Sequence, residues 1–256
     1  MPISKTDFVR ALQCPKMLWL DAHMPQLRVI PPEVQSRLDM GNEFGDQAMG
    51  IFGPFVETTV LREDGRLYYA EMIRKTQALL QAGEPVICEA SFTWYGNFCA
   101  ADILKKEDGG YNLYEVKNTD SVRKEFITDL GFQRFLLRKC GVNILASKLV
   151  LRGDTEQGEQ EKQAGQGCVE RIKHNDFVYK IVDVSSAVKR AERLVEKHIF
   201  EFGKLKRKDA DCPLINVGEH CDTPYACWYQ GYCKANDSIA ATQENKTDLP
   251  QSEREN

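Results

Sequence analysis

The sequence predicts a mixed α/β (α+β) fold. Three observations carry that reading: helical apolar spacing up to residue 84, a period-two meander over 85–116, and alternating helix and strand patterns after it. With 256 residues, 42% hydrophobic and 28% charged, the chain suits one large domain and can bury a core. We read a single domain over 1–236. It comprises an N-terminal helical part (1–84), a core (85–184) with a mixed sheet flanked by helices, and a C-terminal helix with a cysteine-bearing segment (185–236).

The first helix follows Ser4, a capping residue, with Phe8, Val9, Leu12 and Leu18 at roughly helical spacing. Cys14-Pro15 interrupts it, because the residue before a proline is pushed from helical angles. Pro25, Pro31 and Pro32 mark a loop, and helical patterns follow over 34–49 and 66–82, the latter closed by Gly83 and Pro85. Strands are expected at 86–92, 98–105 and 111–117, then a helix over 122–140 stopped by Gly141, and a strand at 144–151. Residues 153–166 are polar and read as a mobile loop or insertion. A strand at 177–184 and an amphipathic helix at 186–202 complete the domain. The stretch 237–256 holds five acids, two bases and almost no core-forming side chains, and reads as a disordered tail.

The mean hydropathy of -0.45 and the lack of a long uncharged apolar run exclude a membrane-spanning helix. No apolar stretch follows the start, so no secretory signal is read and the expected location is cytoplasmic. In such a reducing compartment nine cysteines point first to metal or cluster ligation rather than disulfides. A net charge of -4 argues against indiscriminate polyanion binding but leaves room for a local basic groove. Basic candidates are the stretch 189–208, with eight bases and three acids, and Arg123, Lys124, Arg134, Arg138 and Lys139.

The chemistry concentrates in the meander. Period two puts Tyr111, Leu113, Glu115 and Lys117 on one face. A two-residue turn at Asp108-Gly109 sets Asp102 directly across from Glu115, with Cβ atoms about 5 Å apart. Facing carboxylates destabilise a sheet unless a cation lies between them. A divalent metal with oxygen ligands is the natural candidate, and Lys117 is a second cation. Taken singly, each of these residues is most simply a solvated strand charge. A turn at Tyr95-Gly96 adds Glu89 on the other flank of Asp102, whereas a turn at Gly96-Asn97 pairs Glu89 with Leu104.

The cysteines form a second set. Cys221, Cys227 and Cys233 are separated by five residues each, which is not zinc-finger spacing. A closed site needs a fourth thiolate, from Cys14 or Cys212. Cys88, Cys99 and Cys140 lie in apolar contexts and are expected to be buried core thiols. Irregular thiolate spacing is compatible with iron–sulfur ligation. Zinc, with His220 as an added ligand, is the alternative.

Together these pieces resemble the RecB-like, iron–sulfur branch of the PD-(D/E)XK nuclease superfamily, which includes the CRISPR-associated exonuclease of spacer acquisition and the AddB nuclease domain. The matching segments are ISKTDFVRALQCPKMLWL, the AADIL…EVK core, DLGFQRFLL and GEHCDTPYACWYQGYC, spanning residues 3–233. The resemblance implies a restriction-endonuclease-like core and a helical iron–sulfur lobe built from both chain ends. It makes Asp102 and Glu115 ligands of Mg²⁺ or Mn²⁺, Lys117 the residue that polarises the attacking water, and Gln133 the helix residue of the fourth motif. Cys14, Cys221, Cys227 and Cys233 become ligands of a 4Fe–4S cluster. The implied activity is exonuclease cleavage of single-stranded DNA or DNA ends, with protein partners in a repair or CRISPR-like defence complex. A catalytically weak DNA-binding module is the second reading. The chain departs from the family in two places: Ala101 replaces the proline before the aspartate, and Gly45 stands where a G-x-x-x-H histidine ligand is usual. Glu43, Asp46 and Glu89 are the acidic residues that could substitute for it.

Overall fold

The structure, a computed structural model, describes residues 1–30, 41, 43–153 and 169–236. The predicted tail at 237–256, most of the 153–166 loop and the first part of the 34–49 helix lie outside the described residues.

Helix α1 (Lys5–Gln13) opens on a capping box: the Ser4 hydroxyl accepts from Asp7 N and the Asp7 carboxylate accepts from Ser4 N. It stops at Cys14, whose backbone is extended, and Pro15 starts α2 (Pro15–His23) at the position where a missing N–H costs nothing. The interrupted helix is therefore two. The described part of the second helical pattern is α3, residues 43–48. Helix α4 (Tyr69–Ala82) begins later than its apolar spacing suggests. Asp64 accepts from Arg66 N and Leu61 bridges to Leu67, so a turn holds those residues instead.

Among the described residues seven strands form one mixed sheet, in the order β1-β2-β3-β4-β5-β7-β6. These are β1 (Val56–Glu57), β2 (Val86–Trp94), β3 (Asn97–Glu107), β4 (Gly110–Lys117), β5 (Ile144–Arg152), β6 (Val169–His174) and β7 (Phe177–Asp183). The expected meander β2-β3-β4 is antiparallel. Helix α5 (Lys124–Lys139) carries the chain over to β5, which runs parallel to β4. Two strands went unread: β1, which is only two residues long, and β6, whose VERIKH sequence pairs only with β7 at the sheet edge.

One sheet face carries α1, α5 and α6 (Ser185–Lys204), with Phe8, Phe132, Leu136, Val188 and Val195 packed on Ile87, Leu104, Leu113 and Leu149. Helices α5 and α6 approach so closely at Gly131 that an added Cβ would lie 2.8 Å from Ala191 Cβ. The opposite face is covered by Phe44, Ala48 and Ile51 on Val86, Ile103, Tyr114 and Tyr179. A third, smaller core joins α2 to the C-terminal segment through Cys14, Met17, Leu20, Tyr229 and Cys233. No helix among the described residues is long and apolar enough to cross a membrane.

Candidate functional site

The second hairpin has the register of a turn at Asp108-Gly109, and of the two turns open for the first hairpin the structure has Tyr95-Gly96, since Ile87, not Glu89, faces Leu104. In the β3–β4 ladder Ile103 faces Tyr114 and Leu104 faces Leu113, so Asp102 and Glu115 follow next. In the β2–β3 ladder Cys88 faces Ile103 and Ala90 faces Ala101, which sets Glu89 at Asp102. Neither ladder runs regularly through this level. Glu89 has φ 54, the left-handed region that a residue with a side chain enters at a cost. Ile87 and Ala90 both pack into the first core, as do Ala101 and Leu104, so the inside–outside alternation slips once in each strand at the Glu89–Asp102 level. The Asp102 carboxylate itself accepts from Val116 N at 2.8 Å, filling the gap in the ladder.

Helix α5 brings Gln133 and Asp129 to the same point, because residues four apart share a helix face. Gln133, fully buried, donates its amide to Glu115 Oε2. Lys117 Nζ lies 2.6 Å from Glu115 Oε1 and 3.0 Å from Asp129 Oδ2. From α1, Lys5 Nζ lies 3.2 Å from Glu115 Oε1 and 3.7 Å from Asp102 Oδ1. A cleft of about 380 Å³ opens over this group, lined among others by Lys5, Gly45, Asp46, Glu89, Asp102, Glu115 and Lys117. Glu43 is exposed and does not line it, so of the three acids weighed as substitutes for a histidine ligand Asp46 and Glu89 face the cleft.

The charges sort themselves. Burial, with Asp102 nearby, pushes the Glu89 carboxyl up to about 7. Burial and Glu115 raise Asp102 to about 6 against the pull of Lys5, Lys117 and Val116 N. For Glu115 burial again opposes the charge, but Lys117, Lys5 and the Gln133 amide outweigh it and hold the carboxyl well below its usual range. Lys117 and Lys5 are raised for the converse reason, the surrounding carboxylates overcoming burial. Charge is thus favoured on Glu115 and disfavoured by burial on Asp102, Glu89 and Asp129.

Of the residues singled out from the sequence, the structure brings together Asp102, Glu115, Lys117 and Gln133 and sets Glu89 on the same cleft; Lys5 and Asp129 join them without having been anticipated. A signal existed for both. A lysine at the first position of a helix opposes the helix dipole, and Asp129 stands one turn before Gln133.

The cysteines meet at the other end of α1. Cys14, Cys221, Cys227 and Cys233 line one small cavity of about 10 Å³ with Met17, His220 and Tyr229, room for about one water. Burial raises the Cys14 thiol and pushes that of Cys227 up to about 11. Cys212 is half-buried and does not line the cavity, so Cys14 is the fourth member. Cys88 and Cys99 are buried as expected. Cys140 is exposed, because it falls at the C-cap of α5 where the helix leaves the core. The donor sets match a hard ion at the carboxylates and a thiolate-bound group at the cysteines. As they stand, no three His, Cys, Asp or Glu side chains among the described residues converge closely enough to hold a metal ion.

The basic candidates divide. Arg134 is 7% exposed and pairs with Glu192 at 3.0 Å, so it is core and not a surface for polyanions. Arg138 and Lys139 pair with Glu192 and Glu196. Lys189, Arg193 and Lys197 remain exposed on α6, and Arg123 and Lys124 at the start of α5. No protein-family model matches the chain, and no curated protein shows significant similarity to it.

Proposed function

We propose that the chain is a metal-dependent DNA nuclease of the PD-(D/E)XK type, in its RecB-like iron–sulfur branch, acting on single-stranded DNA or DNA ends. The observation that carries this reading is the convergence of Asp102, Glu115 and Lys117 from two strands on a single cleft, with Gln133 of α5 buried behind it and bonded to Glu115. Asp102 and Glu115, helped by Glu89, would hold Mg²⁺ or Mn²⁺. When bound, the ion supplies a nucleophilic water and neutralises charge on the scissile phosphate. Lys117 is fixed by Glu115 and Asp129, and its ammonium would be the group that polarises the attacking water. Gln133 orients Glu115 from behind. Cys14, Cys221, Cys227 and Cys233 would carry a 4Fe–4S cluster that ties α1 and α2 to the C-terminal segment.

A second reading, an iron–sulfur DNA-binding module without catalysis, is favoured by one observation. Lys5 already places a positive charge at the paired carboxylates. The separating experiment is cleavage of end-labelled single-stranded DNA with Mg²⁺ or Mn²⁺ by anaerobically purified protein. Cleavage that Lys117→Ala abolishes, with DNA affinity retained, supports the nuclease. Wild type and variant equally inactive with every metal and DNA end would replace it with the binding module.

A further inference from the structure

Among the described residues three with side chains have a positive φ: Glu89, Tyr95 and Asn175. Tyr95 and Asn175 stand in the turns between β2 and β3 and between β6 and β7, where that conformation is ordinary. Glu89 stands inside strand β2. Its φ of 54 is strained and persists only where the surroundings impose it. The strain has a use. Regular alternation from Ile87 would send residue 89 into the first core, whereas Glu89 lines the cleft. Among the described residues no hydrogen bond or ion pair reaches its carboxyl, so the backbone sets where it points.

Three hydroxyl residues hold that backbone. Thr58 follows the two-residue strand β1; its N–H donates to Cys88 O at 3.0 Å and its hydroxyl to Glu89 O at 2.5 Å. The Ser91 hydroxyl donates to the same carbonyl at 3.0 Å. Ser91 N in turn donates to Thr76 Oγ1 of α4 at 2.8 Å. Thr58 and Thr76 have no solvent exposure, and Ser91 has 1%. A left-handed residue turns its carbonyl away from the ladder, and the Thr58 and Ser91 hydroxyls meet it there. Packing alone does not call for threonine at this depth, since valine would fill the same space without a hydroxyl to satisfy. Strand β1, paired only with β2, delivers Thr58 to this carbonyl.

We propose that Thr58 is a positioning residue of the cleft: its hydroxyl, with Ser91 and Thr76 beside it, holds Glu89 in the left-handed conformation and so keeps the Glu89 carboxyl in the cleft. The brace itself rests on the geometry of β1, β2 and α4. Its effect on cleavage rests on the nuclease reading and deepens it, so each is given its own measurement.

Thermal melts of the full-length anaerobic protein test the brace. Glycine enters the left-handed region freely, so Glu89→Gly should raise the melting temperature of wild type. In Thr58→Val the strain is already released, and Glu89→Gly should gain less there. An equal or larger gain in Thr58→Val overturns the proposal, because the hydroxyl then only satisfies a carbonyl. Cleavage of end-labelled single-stranded DNA with Mn²⁺ tests the consequence. Thr58→Val should lower kcat about tenfold and leave KM for DNA within about twofold. Thr58→Ser, which keeps the hydroxyl, should recover most of the loss. In a Glu89→Gln chain Thr58→Val should lower kcat no further, since the carboxyl it positions is gone. A wild-type kcat in Thr58→Val, or the full loss repeated on Glu89→Gln, overturns the proposal and leaves the nuclease reading standing. A wild type that cleaves nothing removes the nuclease reading, and the melts alone then decide the brace.

Discussion

The side-chain amide of Gln133 donates to the carboxylate of Glu115 from a position with no solvent exposure, and its own Oε1 is buried with no partner among the described residues. A buried acceptor with no donor is uncommon, and here it lies beside the group that the cleft exposes. Gln133→Met keeps the volume and removes the donor. It should destabilise the protein by about 1–3 kcal/mol, as measured by urea unfolding. If the amide only fills space, the loss falls below about 0.5 kcal/mol.

Glu89 gives a pH signature. Its folded carboxyl sits at about 7, above the ordinary glutamate value, so the native state binds the proton more tightly than the unfolded state does. The stability that Glu89 contributes in EDTA should therefore be fully present at low pH, be lost as pH rises from about 4.5 to about 7, and stay lost above that. Glu89→Gln keeps the shape and removes this slope, and should be more stable than wild type at pH 8 by about 1–3 kcal/mol. Unfolding curves at pH 5 and pH 8 decide it, and an unchanged slope in the variant would show that Glu89 is solvated.

Glu192 neutralises two arginines from α5, Arg134 at 3.0 Å and Arg138 at 2.5 Å. Glu192→Ala strands the buried Arg134 guanidinium and should cost about 3–5 kcal/mol. The pair Arg134→Met with Glu192→Leu should cost much less. A thermal melt in which the double variant is the less stable of the two would contradict this.

The four clustered cysteines should behave as one group. Serine at Cys14, Cys221, Cys227 or Cys233 should remove the brown colour and broad visible absorbance of the anaerobic protein, and lower its solubility. Cys99→Ser, in the core of the sheet, should keep the colour. A colourless wild type with stoichiometric zinc would replace the cluster with the zinc alternative.

Much of the centre was legible because it depends on local rules. The turns at Tyr95-Gly96 and Asp108-Gly109 fix two registers, and registers fix who faces whom. What escaped depends on long-range placement. Lys5 is 110 residues from Glu115, and no periodicity links them. The slip in alternation at Glu89 and Asp102 is invisible to a period-two reading, which assumes that none occurs. Arg134 looked like a surface base because its partner Glu192 sits on a different helix. Strand β6 alternates too weakly to announce itself, being half-exposed at the sheet edge.

Helix α1 has a consequence of its own. Lys5 is its first residue and Cys14 is its C-cap, so nine residues of rigid helix, about 14 Å, separate the sulfur cavity from the carboxylate cleft. A helix this short and this well packed moves as a rod. Any axial shift or tilt of Cys14 is delivered to the ammonium at the far end with little attenuation. Because Ile3 and Ser4 are bonded to Asn97 and Phe98 of β3, such a shift would reach that strand and the Lys5 ammonium together, which joins the cysteine cavity and the carboxylate cleft through one short element.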